Sequence, residues 1–188
     1  MNQRVADTIC ELERFMAGVD DAMPIPREAG QFVHALILAS GAKHGLEIGT
    51  SYGYSALWIA SALAENGGRL ITIDHDPRKS QAARKVLEEA GLASYVDLRT
   101  GTAVEVLGSL DGSFDFVLSD ADKANCIRYV DRVAGKLSAR AVVLTDNTVT
   151  HPDELAGFVK WVRANPNFYS AGVSVGNGME MSVRRAVP

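Results

Sequence analysis

The sequence predicts an α/β fold in which a mostly parallel seven-stranded sheet carries helices on both faces and ends in an antiparallel hairpin. Three observations predict it. From His44 onward, short apolar runs of β type alternate with segments of helical periodicity, the pattern of a parallel sheet covered on both sides. The glycine-bearing segment Gly49-Thr50-Ser51-Tyr52-Gly53 separates the first run from the helix that follows it. The last two β-type runs are joined only by Gly176-Asn177-Gly178, too short for a crossover and suited to a hairpin.

In chain order, a helix is expected over about Val5–Gly18, where Val5, Ile9, Leu12 and Met16 recur at helical spacing. That apolar side would bury itself against the rest of the chain or against a partner. Pro24 and Pro26 punctuate a loop over Asp20–Pro26, and a second helix over Arg27–Ser40 aligns Phe32, Leu36 and Ala39. The repeating units follow. Strand His44–Ile48 leads to helix Tyr54–Ala64, and strand Arg69–Ile73 to helix Arg78–Ala90, which Gly91 stops. Strand Tyr95–Arg99 leads to helix Ala103–Leu110, and strand Phe114–Ser119 to helix Ala124–Leu137. Strand Ala141–Thr145 leads to helix Pro152–Asn165, and Tyr169–Val175 with Met179–Arg184 form the closing hairpin. No linker or repeat interrupts the series. Residues 1–188 therefore read as one domain, with N-terminal helices over 1–40 and the core over 41–188.

A chain of 188 residues, 47% hydrophobic and 22% charged, can fill one core. Its net charge of -4 builds no basic field, which disfavours nucleic acid and leaves a small molecule as the expected partner. The opening MNQRVADTICELERF lacks the charged-then-apolar pattern of a leader, and no run approaches the ~18 apolar residues of a membrane span. A cytoplasmic location is expected. Cys10 and Cys126 lack metal-type spacing and read as reduced, partly buried residues.

The chemistry-bearing residues sit where strands end. In Leu46-Glu47-Ile48-Gly49-Thr50-Ser51-Tyr52-Gly53-Tyr54-Ser55 the glycines follow G-x-x-x-G, not the G-x-G-x-x-G that cradles a pyrophosphate. Glu47 would repel a phosphate and suits a cationic ligand group. Asp74, ending Ile71-Thr72-Ile73-Asp74, can accept hydrogen bonds from ribose hydroxyls. A nucleoside carrying an amino-acid cation satisfies both acids.

With Pro26-Arg27-Glu28-Ala29-Gly30-Gln31 and LEIGTSYGYSA, these features resemble the class I S-adenosylmethionine-dependent methyltransferases, and more narrowly the catechol and caffeoyl-CoA O-methyltransferases. The resemblance implies a Rossmann-like methyltransferase sandwich. It implies that Glu47 contacts the methionine amino group, that Gly49 and Ser55 line the methionine part, and that Asp74 binds the ribose. Thr102-Ala103 then lie near the adenine, and His75 packs near the nucleoside. The family's dimers make a homodimer an expectation of the same origin.

Asp120-Ala121-Asp122-Lys123 and Asp146-Asn147 follow the fourth and fifth strands, which the topology makes neighbours. Asp120, Asp146 and Asn147 would converge as three oxygen donors, suited to a hard cation such as Mg2+ that leaves positions open. Lys123 could stabilise an oxyanion or remove its proton. The resemblance assigns the same roles: Asp120, Asp146 and Asn147 as metal ligands, Asp120 also beside the cofactor, and Lys123 as base. The residues alone leave a second reading open, because Asp-Asn after a strand is also turn and cap chemistry and Asp122-Lys123 a solvated pair.

The expected function is thus an O-methyltransferase of a small hydroxylated, possibly catecholic, acceptor, assisted by a divalent cation. Competing readings are a metal-independent methyltransferase, a non-catalytic nucleoside-binding protein and a nicotinamide oxidoreductase, the last disfavoured by Glu47 and the glycine spacing. The run Asp146-Asn147-Thr148-Val149-Thr150-His151-Pro152 is shorter than in caffeoyl-CoA enzymes, and His151 is either an extra ligand or base, or an exposed loop residue. Gly176-Asn177-Gly178 with Glu180 reads as a hairpin turn, although the resemblance also implies that this hairpin edge can contribute to the acceptor pocket; Trp58, Trp161, His34 and His44 read as structural.

Overall fold

The computed structural model describes residues 1–186. Seven strands, β1 (His44–Ile48), β2 (Arg69–Asp74), β3 (Val96–Thr100), β4 (Phe114–Ser119), β5 (Leu137–Asp146), β6 (Phe168–Val173) and β7 (Met179–Arg184), form one sheet in the order β3-β2-β1-β4-β5-β7-β6. The first five pair in parallel, and β7 runs antiparallel between β5 and β6. The helices are α1 (Gln3–Met16), α2 (Arg27–Ser40), α3 (Tyr54–Glu65), α4 (Pro77–Glu89), α5 (Ala103–Ser109), α6 (Cys126–Ala134) and α7 (Pro152–Ala164).

The sheet is buried on both sides, so its central strands are apolar throughout rather than alternating. Along β4, Phe116 and Leu118 enter a core shared with α1 to α4, whereas Val117 enters another shared with α5, α6 and α7. β1 is flanked in the same way, with Leu46 and Ile48 in the second core. Each such aliphatic or aromatic side chain contributes about 1.5–3 kcal/mol on full burial.

The apolar side of α1 is buried within the chain itself. Val5, Ile9, Leu12 and Met16 all lie in the first core, and the Asn2 side chain caps the helix by accepting from the Val5 N–H at 3.0 Å. Gly91 stops α4 as expected: it has φ +74, and the Leu92 N–H returns to the Leu87 carbonyl at 2.8 Å. Trp58 and His34 are buried packing residues, and the His34 ring nitrogen Nδ1 meets the Trp58 carbonyl at 3.1 Å. Among the described residues no helix is long and apolar enough to cross a membrane.

Two expectations need correction. The helix expected over Ala124–Leu137 is shorter, because Lys123–Asn125 form a 3-10 turn and β5 already begins at Leu137. Two features break it. Lys136 Nζ donates to the Leu107 carbonyl at 2.8 Å and to that of Leu110, turning the chain back toward α5. Arg140 then takes φ +66 beside a register irregularity between Phe114 and Phe116, a bulge that Ser138 and Arg140 disguise as loop. Cys10 is exposed rather than partly buried, since it lies off the apolar side of α1, where its Sγ accepts from Arg27 Nη2 at 3.3 Å. Cys126 is buried, and both thiols are free.

Candidate active site

The strand order reverses between β1 and β4. From β1 the chain winds outward through β2 and β3, then crosses back to β4 and builds the other half. Crossovers diverging from that point leave a crevice at the carboxyl ends of the central strands. Glu47, Asp74, Asp120 and Asp146 all sit at these ends.

Glu47 is wholly buried on β1. Its Oε2 accepts from the Thr72 hydroxyl of β2, while Oε1 has no partner in the protein. Burial raises its carboxyl to about 8, and the charges of Asp120 and Asp74 push the same way, against the hydroxyl hydrogen bonds. An acid so placed is poised to ionise when a cationic group arrives.

The glycine loop joins these strands. The Gly49 and Thr50 N–H groups both donate to the Ile73 carbonyl, at 2.9 and 3.1 Å. Gly49 has φ +104, and a Cβ there would lie 2.4 Å from the Asp120 carbonyl oxygen. The glycine is therefore required by the close approach of the loop to the end of β4. Gly53, with φ +90, starts α3 and leads directly to Tyr54 and the buried Ser55.

Asp74 is nearly buried and shapes the same loop. Oδ2 accepts from the Ser51 N–H at 2.6 Å and Oδ1 from the Asp76 N–H at 2.8 Å. A carboxylate offers about four lone-pair positions, so it can accept from further donors. The Gly101 N–H donates to the Asp74 carbonyl at 2.9 Å, which sets Thr102-Ala103, the start of α5, beside this acid. His75 follows Asp74 with its side chain 84% exposed and Nδ1 3.7 Å from Asp74 Oδ1.

Asp120 and Lys123 form a tight pair. Lys123 Nζ donates to Asp120 Oδ1 and to the Ala121 carbonyl, each at 3.0 Å. Burial pushes Asp120 up to about 6, opposed by Lys123 and reinforced by the charge of Asp146. The alternative reading, a solvated pair of Lys123 with Asp122, does not form among the described residues, because Asp122 instead caps the 3-10 turn, accepting from the Asn125 N–H and the Tyr129 hydroxyl.

Asp146 ends β5. It is 1% exposed, Oδ1 has no partner, and Oδ2 is 3.4 Å from Asn177 Nδ2. Burial raises its carboxyl, while the nearby Asn147 backbone N–H, the Asn177 amide and the charge of Lys123 hold it down. Asn147 takes φ +72 at the sharp exit from the strand, and its Nδ2 donates to Thr150 Oγ1 at 3.2 Å. His151 stays close enough for its charge to act on Asp146, and its Nδ1 meets the Thr150 hydroxyl at 3.1 Å. Glu180 faces elsewhere: it is buried and takes a bidentate pair from Arg163, Nε to Oε1 and Nη2 to Oε2, both at 2.7 Å.

The four acids thus form one electrostatic string, Asp74 and Asp120 acting on Glu47 and Asp146 acting on Asp120. Asp120 and Asp146 are two raised carboxyls close enough for one charge to act on the other, with a single lysine on Asp120 and a buried unpartnered oxygen on Asp146. That fits a hard cation held by Asp120, Asp146 and Asn147. The set is two carboxylates and an amide; no group of three His, Cys, Asp or Glu among the described residues has metal-site geometry.

Thr72 and the Ser51 amide were not anticipated as parts of this site, and the turn of Asn177 was expected at most at the acceptor pocket, not beside Asp146. Thr72 carried a signal, as a polar residue between Ile71 and Ile73 in a strand buried on both faces. A backbone amide such as that of Ser51 carries none.

The comparisons with known proteins agree with this geometry. A catechol O-methyltransferase of Niastella koreensis is 36% identical over 132 residues, covering 68% of this chain and 59% of the relative. The match therefore spans about three fifths of that curated relative's length. The structure of an O-methyltransferase from Bacillus cereus in complex with SAH superposes with a TM-score of 0.82 at 26% identity, covering 98% of this chain and 92% of that one. The O-methyltransferase TomG of Streptomyces achromogenes, involved in tomaymycin synthesis and solved with SAM, gives 0.83 at 27% identity, covering 99% and 91%. A family model described as O-methyltransferase matches residues 5–184. The chain belongs to the O-methyltransferase family.

Proposed function

We propose that the chain, as a single domain, transfers the methyl group of S-adenosylmethionine to an oxygen of a small hydroxylated acceptor of catechol type, with a divalent cation, most suitably Mg2+, held by Asp120, Asp146 and Asn147. The observation that carries this reading is the unpartnered, buried Oδ1 of Asp146, a carboxyl near enough to Asp120 for its charge to act there. The relatives named for catechol O-methylation and the neighbours solved with SAM or SAH support it.

Glu47 receives the amino group of the cofactor's methionine part, alongside Gly49 and Ser55. Asp74 accepts from the ribose hydroxyls, and Thr102-Ala103 border the base. The cation, when bound, lowers the pKa of the acceptor hydroxyl near it. Lys123 Nζ is the group placed to take the hydroxyl proton, and Asp120 keeps Nζ in place. The acceptor oxygen attacks the methyl carbon opposite sulfur, a C–O bond forms as the S–CH3 bond breaks, and its electron pair returns to sulfur. Alignment rather than further chemistry then sets the rate.

The test is transfer of labelled methyl from S-adenosylmethionine to catechol, with Mg2+ and with chelator, for the wild type and Asp146→Ala. The expected result is transfer that needs Mg2+ and disappears in Asp146→Ala, while S-adenosylhomocysteine still binds. Undiminished transfer under chelator would favour a metal-independent enzyme. Cofactor binding with no transfer to any hydroxylated acceptor would favour a non-catalytic nucleoside-binding protein.

A further inference from the structure

We infer that Asn177 is a positioning residue for the cation site: it ties one oxygen of Asp146 so that the other is presented to the cation. The inference rests on the metal-assisted reading above and adds to it a residue outside the ligand set.

The geometry begins with the turn. Gly176 and Gly178 have φ +54 and +78, and neither position has room for a side chain. A Cβ on Gly176 would lie 2.9 Å from the Ala29 Cβ, and one on Gly178 would lie 2.4 Å from Val149 Cγ2. The turn is therefore wedged between the start of α2 and the loop that leaves β5. Backbone hydrogen bonds fasten it to that loop, Thr148 N–H to the Gly178 carbonyl at 3.0 Å and Val149 N–H to the Asn177 carbonyl at 2.9 Å.

So held, Asn177 extends its Nδ2 to Asp146 Oδ2 at 3.4 Å. The Asp146 carboxylate is buried, and its Oδ1 meets no protein donor. Its two oxygens are thus made unequal, one directed by an amide and one left open. A donor on the outer oxygen fixes the plane of a ligating carboxylate. β7 places the turn here because Met179 pairs directly with Asp146.

The test uses the full chain, stripped with chelator and titrated with Mn2+ as the probe, free ion being read by electron paramagnetic resonance. Wild type, Asp146→Asn, Asn177→Leu and Asn177→Ala are compared, with melting temperature and S-adenosylhomocysteine affinity measured on each. Asn177 is only half-buried and the turn is held by backbone bonds, so both Asn177 variants are expected to fold. The expected result is about a tenfold weaker Mn2+ affinity in both, with melting temperature and nucleoside affinity unchanged. Unchanged Mn2+ affinity in the Asn177 variants, beside clear loss in Asp146→Asn, overturns the role of Asn177 and leaves the metal reading standing. Parallel losses of Mn2+ affinity, nucleoside affinity and melting temperature also overturn it, as the mark of a merely structural residue. A wild type that binds no Mn2+, or Asp146→Asn that binds as well as wild type, removes the metal reading and the inference with it.

Discussion

Replacing Glu47 by glutamine separates what the carboxyl does for the fold from what it does for the cofactor. The folded carboxyl titrates at about 8 and the ordinary value is 4.5. Between these values the folded chain keeps a proton that the unfolded chain has released. Stability therefore falls as pH rises through this window, by about 1.4 kcal/mol per pH unit. From pH 5 to pH 7 the wild type loses about 3 kcal/mol from this one group. Glu47→Gln has no proton to lose and keeps an acceptor for the Thr72 hydroxyl. Other titrating groups are shared, so the difference between the two proteins isolates Glu47. Urea unfolding of both, without ligand, at pH 5, 6 and 7 should show the variant gaining about 3 kcal/mol relative to wild type across the range. Parallel stability curves would refute the reasoning. The same carboxyl should make S-adenosylhomocysteine affinity rise with pH toward 8, by up to about tenfold per unit in the wild type. In Glu47→Gln binding should be weaker and independent of pH.

Three further outcomes are expected. Asp74→Ala should weaken S-adenosylhomocysteine binding by about 1–3 kcal/mol, read by calorimetric titration; unchanged affinity would remove the ribose role. Gly49→Ala should cost about 3 kcal/mol or more, because the left-handed φ and the clash with the Asp120 carbonyl act together, and denaturant unfolding at neutral pH would show it. Arg163→Leu should destabilise by about 1–3 kcal/mol by leaving Glu180 buried without its partner. Cofactor affinity in that variant should not change, and a loss there would place Glu180 nearer the site than its pairing indicates.

The sheet was legible because strands buried on both faces stand out as apolar runs, and the candidate site was legible because Asp74 and Asp146 each end one and Asp120 directly follows another. The start of β5 was hidden, since Ser138, Ala139 and Arg140 read as a polar continuation of the preceding segment and only the Arg140 bulge makes them strand. Asn177 was hidden for another reason. It lies 31 residues from Asp146 in sequence, and nothing local distinguishes it from the asparagine of an ordinary tight turn. Only the insertion of β7 beside β5 brings the two together. Glu180 had the same ambiguity, and its partner Arg163 lies on a helix whose facing side depends on the tertiary packing.

That insertion has a consequence for how the chain is made. β6 is synthesised before β7, yet in the finished sheet it is joined to β5 only through β7. Until residues 179–184 emerge, both β5 and β6 present a bare row of unpaired amides and carbonyls, which is a template for pairing with another nascent chain. A chain interrupted just before Met179 would therefore carry two sticky edges and an unformed site at once. Aggregation, rather than a soluble inactive fragment, is the expected fate of that truncation.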